Sequence, residues 1–497
     1  MRNSYIAILL PALLLAGCAV GPEYVPPALP ALHASQFPAS FEDSSIGLSA
    51  GAVELAWWRG FDDPALAALV ERALAANHDI GLAAARLAQA SALLRENRQG
   101  FLPSGGFALD YDNRRRSESQ TPAGQPRRVD SYRGAVDAAW EIDLFGRVQR
   151  SVEAAEAQAG SRAALLRGVQ AGVAAAVAAT WFELHGIEAE HAVVADIRQS
   201  QIDGLRLVEA LVDAGSASEF DRLRAEAALR SVEVALPELE RRRAAAANAL
   251  AVLLGETPHG LRLPAGTPGT DALRVRTIAV GDPATLLSRR SDIVAAERSL
   301  AAATAGIGVE TAGLYPEVQV QGSIGLVAGS LSTLSGAAAL SAFISPVMRW
   351  SFLDTGRVRA RIAASEARAK EALIHYDQTV ARALQETDDA FKAYGAAGST
   401  LGLRLRESAA HREAARLARV RFAQGEGLYL EVLEAERADF ASRRALAIAR
   451  TQQRLAVVSI YKALGGGREL CAWTRQDCGG ADGTSSASLA TQISPGP

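Results

Sequence analysis

Residues 132–147 read Tyr-Arg-Gly-Ala-Val-Asp-Ala-Ala-Trp-Glu-Ile-Asp-Leu-Phe-Gly-Arg. Tyr132, Val136, Ala138, Trp140 and Ile142 alternate with Arg133, Asp137, Glu141 and Asp143. Side chains of a strand point to opposite faces in turn, so this period of two predicts a strand with one apolar and one charged face. After Gly146 the pattern changes. No proline occurs between Pro126 and Pro237, nor between Pro346 and Pro495. Proline breaks helix interiors, so these tracts permit very long helices. A strand running directly into a long helix is the unit from which the chain is built.

The unit is written twice. Trp140 matches Trp350, Gly146-Arg147-Val148 matches Gly356-Arg357-Val358, Gly215 matches Gly425, and Leu254-Gly255 matches Leu464-Gly465, each pair 210 positions apart (350 − 140). Upstream, Asp79-Ile80 matches Asp292-Ile293 and Pro103 matches Pro316, 213 apart (292 − 79). A repeat this long implies two structurally equivalent halves. The expected halves are residues 61–255 and 283–466, joined by a linker over 256–282. In the first, strands over 104–113 and 132–144 precede helices over 147–214 and 217–254. In the second, strands over 317–327 and 340–353 precede helices over 357–424 and 428–465. Each helix pair turns at a glycine, Gly215 or Gly425, so each half is an antiparallel helical hairpin.

Strands of about ten residues with one apolar and one polar face match what a tilted strand needs to cross a bilayer. The pattern by itself also fits a half-buried sheet in water. In lipid, four strands cannot close, and an open edge is not tolerated. A membrane role therefore requires other copies of the chain; three would give twelve strands, an even number within the bacterial range.

The N-terminus reads as a signal peptide over residues 1–17: Arg2, an apolar run from Ile6 to Leu15, then Leu15-Ala16-Gly17-Cys18. The run is too short to span a bilayer. Its ending resembles the bacterial lipobox, which would make Cys18 a lipidation site, with Ala19 next to it resembling outer-membrane sorting. A leader over 18–60, rich in proline, follows, and a tail over 467–497 ends the chain. Cys471 and Cys478 lie in that tail, and export would let them close a disulfide or leave them as two thiols. The 497-residue chain is 49% hydrophobic with a net charge of −3, a balance that suggests no nucleic-acid partner.

Taken in order, these residues resemble the outer-membrane factor family, TolC-like channels, and within it the NodT-like lipoprotein branch. The resemblance rests on Leu15-Ala16-Gly17-Cys18, Gly21-Pro22-Glu23-Tyr24, Trp57-Trp58 with Asp63-Pro64, Trp140 through Arg147, Asp354-Thr355-Gly356-Arg357, and Gly425 followed by Glu431 through Glu436. It implies a mainly α fold with a membrane β-barrel: duplicated β-β-α-α halves, with four strands per chain giving a twelve-stranded barrel in a homotrimer. A long α-helical barrel would continue it through the periplasm. The implied partners are outer-membrane lipid, a periplasmic adaptor and an inner-membrane pump of the RND type. The implied place is the bacterial outer membrane, with a lipid anchor. The implied function is a passive exit duct for drugs or other small solutes. The resemblance also implies an acidic ring at the inner end of the tunnel. It would be formed by Asp221 in the first half and by Glu431 and Glu434 in the second. Family members often have Asp at the latter two positions, and Gly427 stands where some carry a basic residue.

No enzyme is expected. There is no Walker-type phosphate loop and no H-E-x-x-H, so no cofactor or metal is implied. His185 and His191 do not share a helix face and read as surface residues. The Ala-rich run from Gly168 to Phe182 reads as a packed helix face. A channel for type I protein secretion, and a lipid-anchored coiled-coil scaffold with no pore, are the alternative readings.

Overall fold

The computed structural model describes residues 19–27, 56–259, 278–281 and 289–465, with single positions between 43 and 54. Residues 1–17, Cys18, Cys471, Cys478, the tail and most of the 256–282 linker lie outside the described residues. In chain order the main elements are α1 (Pro64–Ala76), α2 (His78–Gln99), β1 (Ser104–Arg115), β2 (Arg128–Ile142), α3 (Arg147–Asp213), α4 (Glu219–Glu233) and α5 (Ala235–Leu253). The second half supplies α6 (Ser291–Ala312), β3 (Glu317–Ala328), β4 (Leu340–Arg349), α7 (Thr355–Ala423) and α8 (Tyr429–Ala463). A parallel bridge pairs Leu48–Ser49 with Ile278–Ala279.

The chain divides into two compact units, one of residues 1–30, 85–162 and 295–378, the other of residues 31–84, 163–294 and 379–497. The first holds the four strands as one antiparallel sheet in the order β1-β2-β3-β4. Leader residues dock within it. Val20 N donates to Phe145 O at 3.1 Å, Arg150 Nε donates to Val20 O at 3.2 Å, and the Tyr24 hydroxyl donates to Glu297 at 2.5 Å.

In the second unit, Asp63 caps α1. Its Oδ1 accepts from Ala65 N and Leu66 N, and Pro64 takes the first helical position, where no amide donor is needed. The other carboxylate oxygen accepts from the buried Trp181 indole at 2.8 Å. The Ala-rich run of α3 is packed, with Val173, Ala174, Val177, Ala178 and Trp181 all buried. Alanine lets neighbouring helices approach closely while adding little side-chain entropy to the cost of ordering.

Three readings of the sequence need correction. The returning helix expected over 217–254 is two helices, α4 and α5, broken at Val234. Pro237 is the cause: it has no N–H for the Glu233 carbonyl, and its ring crowds that carbonyl. His185 is not a surface residue. Only 10% of its side chain is exposed, and its ring stands edge-on to Trp181 at 4.1 Å. Burial pushes the imidazole pKa down, favouring the neutral form. The final strand also ends earlier than the expected 340–353, at Arg349, with a short 3-10 turn over Phe352–Asp354.

Candidate functional site

Two places carry function-bearing chemistry: the sheet and the pair of turns at Gly215 and Gly425. In the sheet, register stacks Phe107, Val136 and Ile324 in one row, and Trp140 with Val320 in another. Most of these apolar side chains are exposed, Phe107 at 67% and Ile324 at 58%, and Ile344 of β4 on the same face is 78% open. A row of large exposed apolar residues on one face needs an apolar environment. The two halves anchor this face alike, since Trp140 donates from its indole to Phe101 O and Trp350 to Leu314 O, both at 3.0 Å.

The opposite face is polar and self-paired. Arg133 of β2 bonds Asp110 of β1 at 2.9 Å and Ser323 of β3 at 3.1 Å, and it also bonds Asp137. Among the described residues, β1 and β4 each keep one edge without a strand partner. Their unpaired backbone groups could not remain open in lipid.

At the turns, both long helices end in the same way. Gly215 N donates to Val212 O and Ser216 N to Leu211 O; Gly425 N donates to Phe422 O and Glu426 N to Arg421 O. Gly215 and Gly425 adopt φ of +73° and +76°, the left-handed region that closes a Schellman cap. The next residues differ. Ser218 starts α4 with a capping box: its hydroxyl accepts from Asp221 N, while Asp221 Oδ2 accepts from Ser218 N at 3.1 Å and from its hydroxyl at 2.6 Å. Those hydrogen bonds hold the Asp221 carboxyl below the usual range. At α8 the corresponding cap position is Leu428, which makes no side-chain cap.

Glu431 is exposed and faces the Arg421 guanidinium at 3.6 Å. Glu434, also exposed, makes no ion pair among the described residues. Asp221 is thus bonded within its own helix start, whereas Glu431 pairs with Arg421 and Glu434 has no ion pair among the described residues. The sequence reading missed Arg421, which also donates to Glu426 O at 3.2 Å and ties the turn to α8. A basic residue in the last helical turn is the signal that could have marked it.

Behind the turn, buried carboxylates knit the helices. Glu436 accepts from Arg419 at 2.7 Å and from Gln201 at 3.2 Å. Glu190, 2% exposed, accepts from Arg444 at 2.5 Å and from Arg242 at 3.2 Å. Burial pushes the neighbouring Tyr429 hydroxyl up to about 12, with Glu436 adding to the shift. No cluster of His, Cys, Asp and Glu suited to a metal ion exists among the described residues.

The chain is similar to known proteins over nearly its whole length. The family model described as outer membrane efflux protein matches residues 69–256 and 283–466, one match per half. Outer membrane protein OprJ of Pseudomonas aeruginosa is 31% identical over 473 residues, covering 93% of this chain and 95% of the relative. Toluene efflux pump outer membrane protein TtgI of Pseudomonas putida is 29% identical over 462 residues, covering 92% and 96%. The solved structure of the outer-membrane channel OprN aligns with a TM-score of 0.82 at 34% identity, covering 91% of this chain and 100% of that one.

Proposed function

Because the chain belongs to the outer membrane efflux protein family, we propose that it is the outer-membrane channel of a tripartite efflux system, a passive exit duct for drugs or other small solutes. The observation that carries this reading is the sheet: four strands, one apolar exposed face, one charged face, and two open edges. Lipid requires those edges to be closed, and a second and third copy provide the closure, giving twelve strands in a homotrimer. A periplasmic adaptor and an RND-type inner-membrane pump complete the assembly and provide the driving energy. Cys18 carries the lipid that fixes the leader to the outer membrane.

The inner entrance is gated by the turn of the second half. Three copies bring Glu431 and Glu434 around one aperture, a ring that favours cations. Asp221 of the first half adds its charge to the same entrance while its capping box fixes where that charge sits.

The full-length protein in planar bilayers should give discrete single-channel currents and run as a trimer in mild detergent. A monomer freely soluble in water after Cys18→Ser would overturn the duct. The double variant Glu431→Gln/Glu434→Gln should weaken block by multivalent cations. Unchanged conductance and unchanged block would remove the gate.

A further inference from the structure

Where the sheet meets the long helices there is a cavity of about 340 Å3. Glu141, Glu317 and Arg349 line it from the sheet, and Arg147, Arg357 and Arg361 from the helix starts. The three sheet residues alternate with Trp140, Val318 and Met348, so the cavity lies on the polar face. If the apolar face meets lipid, as the duct reading holds, this cavity opens into the lumen.

Of the four acids of this wall, Glu141, Asp143 and Glu317 are engaged locally, while Asp354 has Arg357 at 3.9 Å. Glu141 accepts from Arg147, with Nε at 2.8 Å. Asp143 accepts from Gln149 N at 2.8 Å and so caps the start of α3. Glu317 accepts from Gln319 at 2.7 Å. Apart from Arg147, the guanidinium groups are not matched in the same way. Arg349 is exposed and makes no ion pair among the described residues, although it sits opposite Glu317 in the strand register. Arg357 and Arg361 have their nearest acids, Asp354 and Glu310, at 3.9 Å and 3.8 Å, beyond hydrogen-bond reach. The apolar part of the wall includes the stacked rings of Phe145 and Tyr315, 4.7 Å apart.

We propose that this cavity is a subsite for amphipathic organic anions in transit, with Arg349, Arg357 and Arg361 holding a carboxylate or phosphate group while Phe145 and Tyr315 take the apolar part. A guanidinium is charged at every relevant pH, and its forked donors match planar or tetrahedral oxyanions. The subsite rests on the duct reading and adds a basic station to a path whose proposed entrance is acidic.

Single-channel recording of the full-length protein tests it, with 1-naphthoate as the anionic probe and neutral 1-naphthamide as its isostere. Naphthoate should reduce the current at concentrations where naphthamide does not. Arg349→Ala and, separately, Arg357→Gln should each raise the blocking concentration about tenfold, the loss expected for one charge-assisted contact. Arg359→Ala, which removes the same charge from a residue outside the cavity wall, should leave the block unchanged. Equal block by naphthamide, unchanged block in Arg349→Ala and Arg357→Gln, or an equal loss in Arg359→Ala would each overturn the subsite while leaving the duct intact. Absence of any conductance would sink both.

Discussion

The first and second halves end their long helices with the same cap, yet leave the turn by different chemistry. After Gly215 the chain enters a capping box, with Ser218 and Asp221 satisfying each other's amides. After Gly425 it enters α8 at an uncapped Leu428, and the acid at the equivalent of Asp221, Glu431 (431 − 210 = 221), remains exposed near Arg421. Further on, α8 runs unbroken for 35 residues, whereas Pro237 splits its counterpart into α4 and α5. Duplication preserved the backbone plan but released individual side chains from it. In the half that gives up local capping, the turn carboxylate Glu431 pairs with Arg421 instead.

A second contrast shows the same freedom in a structural role. Asn77 donates to Leu253 O at 2.9 Å and clamps the end of α5 to the start of α2. At the equivalent place Arg290 donates to Ala463 O at 3.2 Å, and it also bonds Asp292 and Glu386. One clamp is a neutral amide, the other a buried guanidinium in an ion-pair network.

Moving the proline to the other half should do the most damage. Ala447→Pro, the equivalent of Pro237 (237 + 210), should break α8 as α4 and α5 are broken. We expect a loss of about 3 kcal/mol or more, read as a large drop in melting temperature in detergent. The glycines that close each returning helix come next. A Cβ on Gly255 would lie 2.4 Å from Ala76 O, whereas the nearest atom to one on Gly465 would be Arg290 Cα, at 3.1 Å. With both at positive φ, Gly255→Ala should cost about 2 kcal/mol or more and Gly465→Ala about 1 kcal/mol. Equal melting shifts would contradict the asymmetry.

The clamps should follow. Arg290→Ala should cost about 2 kcal/mol, the scale of a hydrogen bond to a charged group, and Asn77→Ala about 1 kcal/mol. Ser218→Ala should cost about 1 kcal/mol and Leu428→Ser should gain a smaller amount, read by hydrogen exchange at the two helix starts. If Leu428→Ser left α8 exchange unchanged, the uncapped start would not be a weak point.

The smallest expected effect is on pH. Burial lowers the pKa of His185, so below about pH 6.5 the unfolded chain takes up a proton that the folded chain resists, and stability falls as pH falls. The second half has Gly395 at this position (395 − 210 = 185). His185→Gln should therefore flatten the acid limb of a melting profile. Asp221 acts in the same direction at lower pH: its cap is complete above the ordinary carboxylate range and is lost as pH drops through its lowered pKa.

Much of the architecture was legible residue by residue. The alternation from Tyr132 to Ile142, the proline-free tracts, the two glycine turns and the Asp63-Pro64 cap are local patterns, and their geometry is local too. Pro237 carried a local signal as well, since a proline inside 217–254 removes a helix hydrogen bond to Glu233 O and breaks the run at Val234. His185 was misplaced because helical spacing tells which residues share a face, not what packs against that face.

By itself the sequence determined the repeat, the sidedness of the strands and the strand-to-helix order, because backbone periodicity and proline sterics act between near neighbours. Tertiary structure alone decided which charges distant in sequence are matched. Arg290 reaches a carbonyl 173 positions away, and Arg444 a carboxylate 254 away. Arg349 faces a cavity with no ion-pair partner among the described residues. A side chain's pairing depends on which distant element packing brings within about 3 Å of it, and no local pattern encodes that distance.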